Sequence, residues 1–576
     1  MDSRVDRTEK SSGRNPDKAH SGSSTRLTGI SFSMAKQQKS NLVKNASILM
    51  VATIISRIIG LIYRRPLGSV LGSVGLGYYG YASNLYAILL LISSYSIPMA
   101  VSKIVSERLA LRKYKSAQKV FRGALIYAAL VGGIAALVAF FGGSILLPAN
   151  QQNALPALRV LAPTIFLSAI LGVFRGYFQA HQTMTPTSVS QICEQIMNAI
   201  ISVLAAWLLI RNFAGGDKTQ RAILGAVGGT MGTGAGVLTG LVVMLIIFGI
   251  NRSYFKRERR HDHSNEEESY GEVIRIIFLM VTPIIFTTFI NNASTYLDSY
   301  LFSSILGWHG VNSDTISSWY GEYSNYYIPM INIPLSLASA SASAMMPEVS
   351  GEYATGRISR ANHQINQTIR LTMFITLPCM IGMMVLAYPI MGVLFPSASS
   401  LASKLLFTGA IYVLPAALST ITGSVLQSIG EQKTALINAG ISLVLNLVIL
   451  AVMLLVAPGM GIYAVMIANI LYSVFYAIFN QIMIARFLGF KNEFLSTYIQ
   501  PLIASVIMGA GALVIYELIF HLTRRPFIGL VVSILIAMLI YMISYVFVSG
   551  TTEEEMKKFP MGTRIVKVLR VLRVYR

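Results

Sequence analysis

Four ionisable residues lie within or at the edges of long apolar runs, where they could do chemistry. Arg57, Arg175, Glu194 and Asp298 each stand in a segment that is otherwise almost free of charge. A charged side chain in lipid is costly unless it faces a wet cavity or a partner. Guanidinium groups bind phosphate oxygens in a forked geometry, whereas carboxylates bind protons and cations. The sequence therefore predicts a polar site inside a membrane-embedded protein.

The composition agrees with that prediction. The chain has 576 residues, of which 54% are hydrophobic and 12% charged, and its mean hydropathy is +0.61. These values exclude an ordinary soluble domain of this length. The net charge of +22 does not indicate a nucleic-acid partner, because the basic residues cluster at the ends of apolar segments. Cys193 and Cys379 both lie in apolar runs, so we expect neither a disulfide framework nor a metal site.

Counting apolar stretches of about 20 residues predicts an all-α polytopic membrane protein with about fourteen transmembrane helices. The predicted spans are 45–65, 80–102, 123–147, 158–179, 188–210, 225–250, 275–300, 324–346, 371–395, 404–427, 434–456, 461–485, 497–519 and 526–548. Pro186 is expected to begin the fifth span, since a proline in the first turn wastes no hydrogen-bond donor.

The basic residues predict the orientation. With both termini in the cytoplasm, the segments "NRSYFKRERR" and "KVLRVLRVYR" fall on the inner side, as the positive-inside rule expects. The last segment also suits an interfacial helix on anionic membrane lipids. Residues 1–40 are polar and predict a disordered tail without a signal peptide, in which Met34 is an alternative start.

The two halves of the chain resemble each other at an offset near 248 residues. "RGYFQAHQTMTP" and the following helix with Asn198 match "GSVLQSIGEQKT" and the following helix with Asn446. Such a repeat predicts two pseudo-symmetric six-helix lobes with a transport path between them, and two further C-terminal helices. The predicted parts are an N-lobe (41–250), a linker (251–271), a C-lobe (272–490), helices 13 and 14 (491–550) and a basic tail (551–576).

Four segments carry a resemblance to a known family. They are "ISRIIGLIYRRPLG", "PMAVSKIVSE", "RGYFQ" with the "SQICEQ" that follows it, and "IPLSLASASASAMMPEVS". In these segments the chain resembles the multidrug/oligosaccharidyl-lipid/polysaccharide exporter superfamily, in its MurJ-like and SpoVB-like branch. The resemblance implies a bacterial cytoplasmic-membrane flippase that moves undecaprenyl-pyrophosphate-linked oligosaccharide by alternating access. Cell-wall synthesis proteins would then be its protein partners.

The resemblance also implies which residues bind the substrate. Arg57 stands 13 residues beyond Lys44, about 20 Å along a helix, and matches an arginine of MurJ-like flippases. Arg64 and Arg65 would lie near the outer end of the first span. Arginines that the branch usually carries in spans 2 and 8 are missing here, with Lys103 as a substitute at the inner mouth. The remaining substrate-binding candidates are Arg175, Gln179 and Asn291.

Glu194 and Asp298 are the two buried acids. Each could bind a coupling H⁺ or Na⁺, or neutralise Arg57. Transport could instead depend on the membrane potential. No other cofactor is expected. The tyrosines and tryptophan of "SSWYGEYSNYY" (317–327) suit either the outer membrane interface or stacking on sugar rings.

Three alternatives remain open at this stage. The precursor could belong to teichoic acid, capsule or exopolysaccharide instead of peptidoglycan. A cation-coupled drug exporter of the same superfamily would favour acids and aromatic residues over arginines in its cavity. A membrane-embedded polysaccharide polymerase or ligase should have a large outer loop with catalytic Arg or His, whereas the outer loop near 301–323 offers only His309.

Overall fold

A computed structural model describes residues 52–95, 97–260, 262, 269–557 and 562–571, and these residues are helical nearly throughout. The helices of the first half are α1 (Ala52–Ile62), α2 (Arg64–Leu90), α3 (Ile97–Ala110), α4 (Tyr114–Leu146), α5 (Leu155–Ala180), α6 (Thr185–Phe213), α7 (Lys218–Ile250) and α8 (Arg252–Arg260). Those of the second half are α9 (Tyr270–Trp308), α10 (Ser313–Glu322), α11 (Ile328–Ala354), α12 (Ile358–Val385), α13 (Ala387–Leu394), α14 (Ser400–Gly409), α15 (Val413–Ser428), α16 (Gln432–Val456), α17 (Ile462–Leu488), α18 (Gln500–Thr523), α19 (Pro526–Ser549), α20 (Glu553–Lys557) and α21 (Gly562–Val571).

The chain is a multi-pass membrane protein. Within the described residues, twelve stretches are long and apolar enough to cross a bilayer. Helix α1 begins at Ala52, the first described residue. Helix α9 is not one of these twelve stretches and adds a further helix of 39 residues. The total of fourteen spans stays a prediction, and the predicted tail 1–40 lies outside the described residues.

The order of helices repeats between the halves. Helices α5, α6 and α7 pack together in the N-lobe, as α15, α16 and α17 do in the C-lobe. Asn198 on α6 and Asn446 on α16, which the sequence repeat pairs, are both buried. Helix α6 begins at Thr185 with Pro186 in its first turn, so the predicted start of that span is confirmed.

Two predicted loops are helical instead. Residues 66–79 belong to α2, which is interrupted at Gly72 by a positive φ of 67°. Residues 301–323 form the end of α9 and all of α10. Helices α2 and α10 pack against each other, and helix formation satisfies the backbone groups at this contact. The predicted linker 251–271 likewise contains helix α8.

The two lobes meet at one end of the bundle, which we call the closed end and define by residues 64–84, 146–154 and 296–325. The Tyr78 hydroxyl donates to Asp314 at 2.9 Å across this seam. Asn150 and Ser303 exchange two hydrogen bonds of 2.8 Å. A side-chain carbon at Gly77 would overlap the Ser317 carbonyl group, so only glycine allows α2 and α10 to approach this closely.

Glu322 joins three segments at the closed end. Its carboxylate is 1% exposed and accepts hydrogen bonds from the Ser399 amide, the Ser399 hydroxyl and the Ala402 amide, at 3.2, 2.7 and 3.1 Å. These donors lie at the start of α14, where a carboxylate is favoured by the helix dipole. Ser73 of the N-lobe donates to the same carboxylate at 3.2 Å. Glu322 therefore connects the two lobes.

The opposite end, which we call the open end, is where α11 runs away from the seam. Along α11 the side chains of Asn332, Ser339, Ala340 and Ser343 are exposed. The hydroxyls of Ser339 and Ser343 bond to carbonyl groups one turn earlier, at 3.0 and 2.9 Å, which keeps this polar face compatible with a helix in a membrane.

Candidate functional site

A cavity of about 460 Å³ lies between the lobes, next to the closed end. Its volume is in the range of small-molecule sites, roughly 300–1,000 Å³. The lining is dominated by phenol and amide side chains. These are Tyr79, Tyr320, Tyr323, Tyr327 and Tyr412, together with Asn84, Asn292, Asn325, Asn332 and Asn469. Among the described lining residues, Arg64 and Asp298 carry the charges.

Arg64, which was predicted as a substrate contact near the outer end of the first span, lines this cavity. One guanidinium nitrogen, Nη1, donates to the carbonyl and to the side-chain oxygen of Asn325, at 3.0 and 3.3 Å. The reason is that α2 continues α1, through backbone bonds on either side of Tyr63, instead of ending in a loop. The continuous helix therefore places Arg64 at the cavity, on the side of the closed end.

Arg57 precedes Arg64 by seven residues, which places it two turns away on the same helical face, about 10 Å along the axis. Its side chain is exposed, and it does not belong to the cavity lining. Arg65 and Lys103 are exposed as well, and neither lines the cavity. The structure thus brings only Arg64, of these four predicted cations, into the cavity.

Asp298 on α9 is 2% exposed and lines the cavity. Its carboxylate accepts hydrogen bonds from Asn446 on α16 at 2.6 Å, from Asn469 on α17 at 2.9 Å and from Ser294 at 2.9 Å. Three donors stabilise a carboxylate that would otherwise be costly to bury. Asp298 was one candidate to neutralise Arg57, but its hydrogen-bond partners are Asn446, Asn469 and Ser294.

Arg175 and Glu194 form an ion pair within the N-lobe. The Arg175 Nη2 atom lies 2.6 Å from Glu194 Oε2 and also donates to Ser190 at 2.9 Å. Both side chains are 20% exposed. Gln179, one turn beyond Arg175, is half-buried. Glu194 is therefore the counter-ion of Arg175 and not of Arg57, because α5 and α6 place Arg175 beside it.

The side chain of Asn291 lies outside the described part of the chain, whereas its neighbour Asn292 lines the cavity. Sequence reasoning missed Asn84, Asn469, Tyr79 and Tyr412. Of the two options for "SSWYGEYSNYY", the membrane interface is wrong for its tyrosines. Tyr320, Tyr323 and Tyr327 line the cavity. The signal in the sequence was the density of tyrosines in this segment, whereas the π-helical turn at Tyr323–Tyr327, a feature frequent at functional sites, is visible only in the structure.

Several known proteins are similar to this chain. Lipid II flippase MurJ of Bacillus subtilis (strain 168) is 26% identical over 499 residues, which cover 83% of this chain and 88% of that protein. Uncharacterized membrane protein YabM of the same strain is 22% identical over 539 residues, covering 92% and 96%. Stage V sporulation protein B, also from that strain, is 22% identical over 372 residues, covering 64% and 68%.

Solved structures share the fold. The inward closed conformation of lipid II flippase MurJ matches with a TM-score of 0.64 and 17% identity, covering 87% of this chain and 98% of that one. An inward-facing multidrug resistance MATE family transporter matches with a TM-score of 0.59 and 16% identity, covering 76% and 98%. The MatE family matches residues 283–452. The family described as polysaccharide biosynthesis protein matches residues 42–353, more than half of the chain, and the chain belongs to this family.

Proposed function

We propose that this protein is a flippase that moves undecaprenyl-pyrophosphate-linked oligosaccharide, such as a lipid II-like peptidoglycan precursor, across the cytoplasmic membrane. The observation that carries this proposal is the polar cavity lined by residues of both lobes, next to the end at which hydrogen bonds join the lobes. Alternating access needs this arrangement, because opening the closed end would expose the same cavity to the other side. The relative that is named a lipid II flippase supports this substrate class.

Arg57 and Arg64 supply the cations in this proposal. A lipid-linked diphosphate needs a permanent positive charge in a low-dielectric path, and guanidinium offers two parallel donors to its oxygens. The two arginines share one helical face that runs from the exposed part of α1 into the cavity. They therefore mark a route along which the diphosphate can move. Arg65, Lys103, Arg175, Gln179 and Asn291 stay predictions as substrate contacts.

The proposed orientation places both termini and the open end in the cytoplasm. Helix α8 carries exposed Arg252, Lys256 and Arg260, which the positive-inside rule puts on that side. Near the C-terminus, α21 buries Val566 and Leu569 against the bundle while Lys567 remains exposed. This arrangement supports an interfacial helix in contact with anionic lipids. The open end would then load precursor from the inner leaflet.

Coupling to an H⁺ or Na⁺ gradient is proposed at Asp298. This carboxylate lines the transport cavity and is held by amides of two C-lobe helices, so a change in its charge alters bonds to both. Glu194 is the weaker coupling candidate, because a permanent cation already neutralises it at 2.6 Å.

A cation-coupled drug exporter is the second candidate function. The MatE match and a tyrosine-rich cavity with an acid favour it. One observation counts against it: Arg64 would repel a cationic drug in the same cavity. The relative MurJ is named a flippase, and the fold neighbours are a flippase and a MATE family transporter, which makes the chain a transporter and not a polymerase or ligase.

Depletion in the native bacterium tests the proposal. The lipid-linked precursor that accumulates in the inner leaflet should be identified by mass spectrometry, and re-expression should remove it. The precursor also distinguishes peptidoglycan from teichoic acid, capsule and exopolysaccharide. Unchanged lipid-linked precursors together with increased sensitivity to cationic drugs would instead support the exporter.

A further inference from the structure

Helix α8, in the linker between the lobes, is attached to the N-lobe through one aromatic side chain. Phe255 is buried among other rings, with its centroid 5.2 Å from that of Tyr177 and 5.4 Å from that of Phe248. Arg252 and Lys256 on the same helix are exposed. The helix has nine residues, too few to be stable alone in water. Its position therefore depends on a small number of contacts with the N-lobe.

A second contact joins α8 to the end of α5. The ring centroid of His181 lies 5.2 Å from that of Phe255, and His181 Nε2 lies 3.4 Å from Glu258 Oε2. The side chains of His181 and Glu258 are 8% and 20% exposed, so water screens their interaction only in part. His181 directly follows α5, whereas Glu258 belongs to α8. A change in charge of either residue therefore alters how firmly the linker is held.

The hydrogen bonding of His181 determines which protonation state favours this contact. Nδ1 lies 2.8 Å from the Tyr177 carbonyl oxygen, which can only accept a hydrogen bond, so Nδ1 carries a proton. In a neutral ring, Nε2 would then present its lone pair to the Glu258 carboxylate. Nε2 is buried and has no hydrogen-bond partner among the described residues. In the imidazolium form, Nε2 also carries a proton and attracts the carboxylate. The contact is thus attractive only when His181 is protonated.

The other titratable side chains described at this contact are tyrosines and exposed cations. Tyr177 on α5 and Tyr254 on α8 interact electrostatically with Glu258, and Tyr114 of α4 lies near Tyr254. Burial, and then the charge of Glu258, raise the pKa of Tyr254 above its ordinary value, so this phenol stays neutral while a histidine titrates. The exposed cations next to Glu258 on α8 are Lys256 and Arg257. Lysine and arginine keep their charge in the range in which histidine loses its own.

The linker has further contacts with the N-lobe that do not involve a histidine. Asp262 accepts a hydrogen bond from the Lys115 amide at the start of α4. The Lys119 ammonium nitrogen lies 5.2 Å from the ring centroid of Tyr270, the first residue of α9. These contacts hold the far end of the linker beside α4. Loss of the contact between α5 and α8 would therefore loosen α8 without detaching the whole linker.

We infer that His181 and Glu258 form a pH-dependent latch, which holds α8 on the N-lobe while the histidine is protonated and releases it as the pH rises. Histidine changes its charge between about pH 5 and pH 8. The proposed orientation places α8 in the cytoplasm, so the latch responds to cytoplasmic pH. Because α8 lies between α7 and α9, its release lets the connection between the two lobes move more freely.

The distance between two spin labels tests the latch. The purified full-length protein in lipid nanodiscs carries labels at Ser253→Cys on α8 and at Leu111→Cys in the turn between α3 and α4, two exposed positions. Cys193→Ala and Cys379→Ala remove the native thiols. Double electron–electron resonance is measured at about pH 5 and about pH 8, the two ends of the histidine range. The ratio of undocked to docked protein should be about fivefold larger at the higher pH, as expected for loss of a partly exposed ion pair.

Variants identify the group that titrates. His181→Gln introduces a neutral side chain, so the distance distribution should be the same at both pH values. Glu258→Gln should also abolish the response, because an amide can donate to a neutral imidazole and accept from a protonated one. His363→Gln makes the same change at an exposed histidine on α12 and is the matched control. This control should respond to pH as the wild type does.

Two results would overturn the latch. One is an identical distance distribution at both pH values in the wild type. The other is a pH response of His181→Gln as large as that of the wild type, because a different group would then be titrating. If His181→Gln does not yield folded protein, the isosteric Glu258→Gln decides in the same way. No substrate is added, so each result is independent of whether the protein moves a lipid-linked oligosaccharide.

Discussion

The guanidinium of Arg175 lies 2.6 Å from the carboxylate of Glu194 and connects α5 with α6 inside the N-lobe. Ser190 accepts a second bond from the same guanidinium and donates to the Gly240 carbonyl on α7 at 3.2 Å. Three N-lobe helices therefore meet at one pair of opposite charges. This geometry indicates a mainly structural role for Glu194.

Glu194→Gln should lower the stability of the protein. Removing one partner leaves a largely buried guanidinium without its counter-charge, at a cost of about 2 kcal/mol given the partial exposure of both side chains. The thermal midpoint in detergent should fall, and the exchanged pair Arg175→Glu with Glu194→Arg should recover part of it. An unchanged midpoint combined with lost gradient dependence would make Glu194 a coupling site instead.

Arg57→Ala should abolish flipping while protein abundance stays near normal, because the side chain is exposed and contributes little to packing. Arg57→Lys should rescue only partly, since an ammonium group cannot reproduce forked phosphate contacts. Arg211→Ala, at an exposed arginine next to Trp207, is the matched control. Transport is measured as translocated precursor in proteoliposomes, and full activity of Arg57→Ala would remove this residue from the path.

Asp298→Asn should retain precursor binding and lose dependence on the ion gradient. The substitution keeps the shape of the side chain, but an amide cannot accept the bonds from Asn446 and Asn469 as a carboxylate does. Transport rates in proteoliposomes with imposed H⁺ and Na⁺ gradients provide the measurement. Gradient dependence that equals the wild-type value would leave Asp298 as a structural residue of the C-lobe.

Gly77→Ala should prevent the closed end from forming. The added methyl group would overlap the Ser317 carbonyl, so the seam between α2 and α10 must separate. A cysteine introduced at Ser73, which lies in that seam, should then become accessible to a thiol reagent. Gly133→Ala is the control, because the nearest atom to its new carbon would be 4.0 Å away, on Phe166. Equal labelling of both variants would show that the seam tolerates the methyl group.

Cysteine labelling in intact cells tests the orientation. A cysteine at Ser253 on α8 should be shielded from an impermeant outside reagent, and one at His309 should react, because both positions are exposed. Residue 262 would be a poor reporter, since Asp262 is 5% exposed and accepts a bond from the Lys115 amide. Labelling at 253 would reverse the proposed orientation.

Features that depend on a single helix could be predicted from the sequence. Pro186 begins α6, and the repeat correctly paired the buried residues Asn198 and Asn446. The identities of the buried charges Glu194 and Asp298 were also readable, because an acid within an apolar run is conspicuous.

Contacts between distant segments could not be predicted in the same way. Arg64 lines the cavity beside Asn325, its hydrogen-bond partner, which stands more than 200 residues later in the chain. The partners of Asp298 come from α16 and α17, and those of Glu322 from α14. No local pattern encodes such pairings, since each depends on how the lobes pack.

Helix α9 belongs to both lobes at once. Val273, Ile277 and Val281 pack in a cluster with the N-lobe residue Phe121, whereas Asp298, further along the same helix, is bonded to the C-lobe. Rocking one lobe against the other must therefore bend this helix or detach one of its ends. Elastic strain in α9 would oppose full separation of the two lobes. The same strain would bring the lobes back together after each transport cycle, because one continuous helix is attached to both.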